Sequence, residues 1–152
     1  MRIFLDADAC PVVLRDILLR AVDRTQYSLL IVANHPIYLP HRPWMQRIQV
    51  DAGPDAADHY IAEHILPGEL TITADIPLSA RVIAKGAFVL NFHGERLDAE
   101  CIGDRLATRN LMHELRSAGI ASSHNSGPGS RERQRFAAQL DRFIQQNRSV
   151  SG

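Results

Sequence analysis

The chain has 152 residues, of which 45% are hydrophobic and 22% charged, values typical of one globular domain with a hydrophobic core. Its 17 basic and 17 acidic side chains balance, so no overall field attracts the protein to nucleic acid or to a membrane. Two cysteines, Cys10 and Cys101, form neither a disulfide framework nor a zinc-site spacing. Because the sequence shows no secretory segment and no long apolar run, we expect a cytoplasmic protein without a membrane span.

Apolar patterns predict strands that alternate with helices along the chain. The predicted strands lie at residues 3–5, 28–33, 47–50, 70–73 and 87–91. The predicted helices lie at residues 11–24, 54–66, 76–85, 98–118 and 131–147. Between the second and third strands, residues 38–44 contain two prolines and are predicted to form an extended loop.

This alternation predicts the fold class, an α/β domain with a mostly parallel, five-stranded sheet covered by helices on both faces. We expect a single three-layer domain over residues 1–152, with extra helices at the C-terminus. The segment Ser122–Ser130 is rich in Ser and Gly and is predicted to be a mobile loop. The last few residues are expected to be disordered.

Carboxylates follow predicted strands at three strand-to-helix junctions. Asp6 and Asp8 come directly after the first strand, Asp55 and Asp58 follow the third, and Asp75 follows the fourth. Parallel strands with right-handed crossovers bring their carboxyl ends to one edge, so these distant residues are predicted to meet there. Hard cations prefer oxygen ligands, and the set therefore predicts a Mg²⁺ or Mn²⁺ site.

Each of these acids also has a purely structural interpretation. Asp55 and Asp75 stand at the start of predicted helices, where Asp is a favoured cap. Asp8 could stabilise the turn into the helix that Pro11 opens. Asp6 is harder to explain in this way, because it continues an apolar strand and a buried acid there needs a partner.

Three further groups could contact a substrate. Asn34 ends the second strand and could face the same crevice, although ordinary turn chemistry explains it as well. Arg131 and Arg133, with Arg135, precede an apolar helical stripe and could bind phosphates, while a solvated helix face is the alternative. Trp44 could stack on a base, but a tryptophan in a proline-rich loop more often packs against the protein.

Four motifs resemble signatures of the YaiI/YqxD family of bacterial proteins, and they are Phe4–Pro11, Val32–Asn34, Gly53–Asp58 and Thr73–Leu78. Leu106, Ala107 and Arg109, together with residues 131–140, resemble later motifs of that family, so the resemblance spans nearly the whole chain. The family is grouped with PIN-like domains, many of which are Mg²⁺- or Mn²⁺-dependent ribonucleases. The resemblance thus implies a PIN-like fold with a central first strand and an acidic metal pocket.

Carried over by position, the resemblance implies metal ligands at Asp6 and Asp75, with Asp58, or else Asp55, as the acid on the helix. The nuclease hypothesis gives a catalytic set of Asp6, Asp8, Asp58 and Asp75, in which Asp8 and Asp58 orient waters or a second ion. The last PIN acid, after the fifth strand, has no clear counterpart, because Asn91 occupies that region. Residues 89–94 also depart from the Asn-Pro-Arg-Gly motif usual in the family.

Three functions compete on this sequence. The leading hypothesis is a metal-dependent nuclease that acts on RNA, in which carboxylates and a cation activate water against a phosphodiester. The second is a phosphatase of the haloacid-dehalogenase type, with Asp6 as nucleophile and Asp8 as general acid. The third is an inactive RNA- or protein-binding module, which the missing last acid favours.

Overall fold

A computed structural model describes residues 2–53, 55–117 and 128–151 of the chain. The strands are β1 Arg2–Asp6, β2 Ser28–Ala33, β3 Met45–Gln49, β4 Leu70–Ile72, β5 Phe88–Leu90 and β6 Arg96–Leu97. The helices are α1 Val12–Thr25, α2 Ala56–His64, α3 Ile76–Ala84, α4 Ile102–Ser117 and α5 Ser130–Ser151. None of the helices in this part of the chain is both long and apolar enough to cross a membrane.

The six strands form one sheet in the order β3-β2-β1-β4-β5-β6, in which only β6 is antiparallel to its neighbour. One apolar core packs α1 and α5 against the first face of the sheet, and another packs α2 and α3 against the second. The two cores follow the strand alternation, since Ile3 and Leu5 point to the first face and Phe4 to the second. The predicted three-layer α/β architecture is confirmed, with β1 and β4 at its centre.

The prediction of five strands was wrong by one, because β6 forms a short hairpin with β5. The side chain of Asn91 shapes the turn, as its Oδ1 accepts the backbone N–H groups of His93 and Glu95 at 2.9 Å each. Gly94 has φ of 82°, and an added Cβ there would lie 2.6 Å from the backbone N of Phe136, so glycine is required. A strand of two residues carries too little periodicity to be found from sequence.

The helix boundaries differ from the predictions by a few residues. Helix α4 begins at Ile102 because the Asp98 carboxylate accepts the backbone N–H groups of Glu100 and Cys101 at 3.0 Å, which ends the preceding turn. Helix α5 continues to Ser151. Residues 118–127 and Gly152 lie outside the described residues. Most of the predicted mobile loop and the end of the predicted disordered C-terminus therefore lie outside them as well.

Candidate active site

A cavity of about 310 Å³ opens at the carboxyl end of the central strands, between the loops that follow β1 and β4 and the first turn of α2. It is lined by Asp6, Asp8, Ala9, Ala57, Asp58, Ala74 and Asp75. We call it the acidic cavity. Four of the seven residues are carboxylates and the other three are alanines, whose small side chains leave the space between the acids open.

Asp6 is the most buried of the four acids, with 7% of its surface exposed. It shares the second face of the sheet with Phe4, which directs its side chain toward α2 and α3. The hydroxyl of Thr73 donates to its Oδ2 at 2.8 Å, and the backbone of Asp8 also hydrogen-bonds to it. Burial nevertheless raises the pKa of Asp6, helped by the negative charges of Asp8 and Asp75, while the Thr73 hydroxyl opposes this shift.

Asp75 is the N-cap of α3, so the structural interpretation of this residue is confirmed. Its Oδ1 accepts the backbone N–H of Leu78 at 2.9 Å. Its own N–H donates to Thr73 Oγ1 at 3.0 Å, and the same oxygen donates to Asp6. The fully buried Thr73 therefore connects the acids of β1 and β4 and fixes their relative position. One oxygen of Asp75 is used by the cap, and the residue still lines the acidic cavity.

Asp58 lies in the first turn of α2 and faces Asp75. The two carboxyl groups are close enough to form a hydrogen bond when one of them is protonated. The pKa of Asp58 is raised to about 7, first by burial, then by the hydrogen bond to Asp75 and by the negative charges of Asp75, Asp6 and Asp55. Below about pH 7 protonation of Asp58 thus relieves the repulsion between two neighbouring acids.

No basic side chain lines the acidic cavity within the described part of the chain. In the same ranges, no three or more His, Cys, Asp or Glu side chains are placed to hold a metal ion together. The donor set itself fits a hard cation, because carboxylate oxygens are the ligands of Mg²⁺ and Mn²⁺. The raised pKa of Asp58 shows that negative charge is disfavoured in this cavity, and a bound cation would relieve the same repulsion.

Asp8 is directed toward the end of β2. Its Oδ1 accepts the backbone N–H of Asn34 at 2.9 Å and lies 3.0 Å from Nδ1 of His35. Asn34 also donates from Nδ2 to the carbonyl of Gly53 at 3.4 Å, which connects β2 to the segment before α2. Asp8 therefore both lines the acidic cavity and organises the neighbouring loop, whereas Asn34 is outside the lining of the cavity.

Cys10 follows the acidic loop and stands beside Pro11, the N-cap of α1. Burial raises the pKa of its thiol to about 12, so it stays protonated at neutral pH. Its Sγ contacts the carbonyl of Pro11 at 3.4 Å. This is the environment of a packed thiol and not of a nucleophile.

Comparison with known proteins places this chain in a family. The model of the uncharacterized YaiI/YqxD family matches residues 4–146 of the chain. The chain belongs to the YaiI/YqxD family. A UPF0178 protein of Xanthomonas oryzae pv. oryzae is 50% identical over 143 residues, which cover 94% of this chain and 89% of the relative. UPF0178 proteins of Alkalilimnicola ehrlichii and Cronobacter sakazakii are 47% and 44% identical, over 97% and 95% of this chain and 100% and 95% of theirs.

In this YaiI/YqxD protein the structure brings together Asp6, Asp8, Asp58 and Asp75. Asp55 is exposed and outside the cavity lining, and its side chain makes no cap hydrogen bond. Of the two candidates for the helix acid, Asp58 therefore faces the cavity. Sequence reasoning assigned no role to Thr73, although the Thr-x-Asp spacing of residues 73–75 carried the signal.

The predicted substrate-binding arginines lie on the other side of the same sheet edge. Arg131, Arg133 and Arg135 are exposed in the first turns of α5. Helix α5 begins beside the β5–β6 turn, where Glu132 is 3.1 Å from Nδ1 of His93. Arg133 also donates to the carbonyl of Pro128 at 3.3 Å. These arginines stand on the face of α1 and α5, outside the lining of the acidic cavity.

Asn91 stands where the resemblance led us to look for a last acid, and the structure gives it a local role. Its side chain is buried and its oxygen is turned back into the β5–β6 turn. Glu95, the next acid along the chain, is hydrogen-bonded to the guanidinium of Arg105, and that pairing outweighs burial and lowers its pKa. Neither residue lines the acidic cavity.

Proposed function

We propose that this protein is a Mg²⁺- or Mn²⁺-dependent nuclease that acts on RNA in the cytoplasm. One observation supports the proposal most strongly. Three carboxylates from three separate strand-to-helix junctions, Asp6, Asp58 and Asp75, line one open cavity in which no basic residue of the described chain balances them. A fold that only needed stability would not gather these charges, because the pKa values of Asp6 and Asp58 are raised by burial and by the negative charges around them.

In this proposal Asp6, Asp58 and Asp75 would hold the cation after a rearrangement of their side chains, since within the described ranges they are not placed to hold one together. The cation would supply Lewis acidity toward a phosphodiester and would lower the pKa of a water. Thr73 keeps the Asp6 carboxylate in position through its 2.8 Å hydrogen bond. Asp58 would have to lose its proton for its oxygens to hold the cation, since a proton and a cation compete for the same oxygens. Asp8, fixed by the backbone N–H of Asn34, orients water at the rim of the cavity.

The phosphatase alternative has less support from the geometry. It assigns Asp8 the role of general acid, which requires a protonated carboxyl group directed at the leaving group. In this structure Asp8 Oδ1 instead accepts the Asn34 N–H at 2.9 Å and lies 3.0 Å from His35 Nδ1, so this oxygen is already used by the loop after β2. We therefore keep the nuclease ahead of it.

The test is cleavage of a labelled single-stranded RNA of about 20 nucleotides by protein stripped with EDTA and reloaded with Mn²⁺, Mg²⁺ or Ca²⁺. We expect cleavage with Mn²⁺ or Mg²⁺ that is lost in Asp6→Asn and Asp75→Asn. Asp141→Asn is the matched control, because it removes an exposed carboxylate whose partner is Arg24, far from the cavity. Equal cleavage by the parent and by Asp75→Asn would identify a contaminating nuclease. RNA binding without cleavage under every metal would favour the inactive module.

A further inference from the structure

The loop between β2 and β3 carries an aromatic side chain that the fold does not use. Tyr38 is 92% exposed, the most exposed large hydrophobic residue in the described part of the chain. Its neighbours hold the loop on both sides. Ile37 is buried in the first core and accepts a 2.8 Å hydrogen bond from Arg47, while Trp44 packs against the same core. The expectation that Trp44 packs is therefore confirmed, and Tyr38 is the aromatic ring presented to solvent.

Two cavities meet at Tyr38. On one side it lines a cavity of about 260 Å³ together with His41, Arg42 and Arg47, and no acid is among the residues that line it. We call this the basic cavity. Arg42 is paired with Asp23 at 3.0 Å, whereas Arg47 uses one nitrogen for the Ile37 carbonyl and has no carboxylate partner within the described ranges. This side therefore favours an anion.

On its other side Tyr38 lines a cavity of about 410 Å³ that includes Arg15, Asp16 and His35. The Arg15 guanidinium makes no ion pair with the residues that the structure describes, although Asp16 lies in the same cavity. His35 connects this cavity to the acidic cavity, because its Nδ1 is 3.0 Å from the Oδ1 of Asp8. Cations and the Tyr38 ring thus form a path that ends at Asp8.

We propose that Tyr38 is a stacking platform for an unpaired base of single-stranded nucleic acid, whose phosphates run from the basic cavity past Arg15 to the acidic cavity. This inference rests on the proposed function, which directs the strand toward the acidic cavity. It adds that the substrate is single-stranded. An exposed aromatic ring between cationic grooves is how proteins bind single strands, because every base offers a face for stacking while arginines follow the backbone. A duplex base has no free face to offer Tyr38, so stacking selects unpaired segments.

The test is fluorescence anisotropy with a labelled 12-nucleotide oligouridylate in EDTA, where binding is measured without cleavage. We expect Tyr38→Ala to weaken binding about tenfold and Tyr38→Phe to bind within about twofold of the parent, since stacking needs only the ring. An abasic oligonucleotide of equal length should bind the parent and Tyr38→Ala alike. Leu66→Ala is the control, because Leu66 is also exposed, at 57%, and lies before β4 at the opposite edge of the sheet.

A second arm measures the cationic path through the salt dependence of binding. Arg15→Gln should flatten the slope of log affinity against log salt by about 0.7, the value for one phosphate contact on a single strand. Arg20→Gln, on the same helix and exposed, should leave the slope unchanged. An unchanged slope in Arg15→Gln would remove Arg15 from the path.

Three results would overturn the stacking proposal. They are no binding of the oligouridylate by the parent, equal binding by the parent and Tyr38→Ala, or a loss in Tyr38→Phe as large as in Tyr38→Ala. Failure of the nuclease proposal is distinguishable, because binding that depends on Tyr38 without any metal-dependent cleavage contradicts only the nuclease. Cleavage with no effect of Tyr38 on binding contradicts only the platform.

Discussion

Two buried carboxylates lie at opposite edges of the central sheet and have opposite surroundings. Glu69, 3% exposed before β4, accepts two hydrogen bonds from Arg2 at 2.8 and 3.1 Å and a third from the Leu66 N–H at 2.9 Å. Asp6, 7% exposed at the end of β1, has acids as its charged neighbours. The two carboxylates are thus similarly buried, but the charge of Glu69 is balanced by Arg2, whereas Asp6 is repelled by neighbouring acids.

This difference separates an acid that serves the fold from one that serves a ligand. A buried charge with a bidentate partner satisfies the fold by itself. A cluster of acids around the acidic cavity costs stability until positive charge enters it, so its presence is explained by what binds there.

The largest effect is expected on metal affinity in Asp6→Asn and Asp75→Asn. Each should weaken Mn²⁺ binding by at least about 100-fold, because mutation of residues that merely support a metal ligand already lowers metal affinity 10–100-fold. The metal-free variants should be as stable as the parent or more so, since each substitution removes repulsion and the amide oxygen introduced by Asp75→Asn can still accept the Leu78 N–H. Titration calorimetry with Mn²⁺ and thermal melting in EDTA measure the two quantities. A lower metal-free Tm with unchanged Mn²⁺ affinity would make both acids structural.

The second-largest effect is expected for Glu69→Gln, which neutralises the buried acid at the opposite edge of the sheet. It should lower the free energy of unfolding by about 1–3 kcal/mol, because Arg2 would lose its carboxylate partner. The value lies below that of a fully buried pair, since the Arg2 side chain is 34% exposed. Urea unfolding of Glu69→Gln beside Asp6→Asn compares two neutralised acids of similar burial. The same change in both would remove the distinction between the two edges.

The sequence predicted the candidate site better than it predicted the sheet boundaries, and for a physical reason. Asp6 and Asp75 stand at the ends of short apolar strands, and parallel topology alone brings those ends together. The sequence could not decide whether Asp55 or Asp58 faces the cavity, because that depends on where α2 begins. Strand β6 was missed because two residues carry no pattern, and the exposure of Tyr38 was missed because only packing shows which aromatic ring of a loop is buried.

A smaller effect should appear in the pH dependence of metal-free stability. The pKa of Asp58 is about 7 in the folded protein against an ordinary value of 3.8, so the folded state binds the proton more tightly. Stability contributed by that proton is present below about pH 4 and is lost as the pH rises to about 7. Asp58→Asn removes this loss and should be more stable than the parent at pH 8, while the difference shrinks at pH 4.

We expect about 1–2 kcal/mol for that difference at pH 8, less than the full shift implies, because Asp58 is partly exposed and solvent screens it. Thermal melts in EDTA across this range measure it. With saturating Mn²⁺ the order should reverse at pH 8, because the parent gains binding energy that Asp58→Asn lacks. A parent stability that is constant from pH 4 to pH 8 would contradict the raised pKa of Asp58.

The smallest effect on the fold is expected for substitution of Arg131, Arg133 and Arg135, which are exposed at the start of α5. If this neutral protein binds RNA, it needs a local group of cations, and these three are exposed where α5 begins, on the other face of the sheet from the acidic cavity. Replacing all three with Gln should change stability by less than about 0.5 kcal/mol, as is usual for exposed positions. Phe136 and Leu140, both fully buried, keep the helix packed against α1.

Their effect should instead appear in the salt dependence of RNA binding. If all three contact phosphates, the slope of log affinity against log salt should flatten by about 2, because each contact on a single strand contributes about 0.7. Arg133 already donates to the Pro128 carbonyl, so a flattening of about 1.4 would assign the contacts to Arg131 and Arg135. Arg24→Gln, which breaks an exposed ion pair with Asp141 away from the acidic edge, is the control. An unchanged slope in the triple variant would exclude these three arginines from the RNA contacts. The contacts would then be assigned to Arg15 and the arginines of the basic cavity, on the β2–β3 side of the sheet.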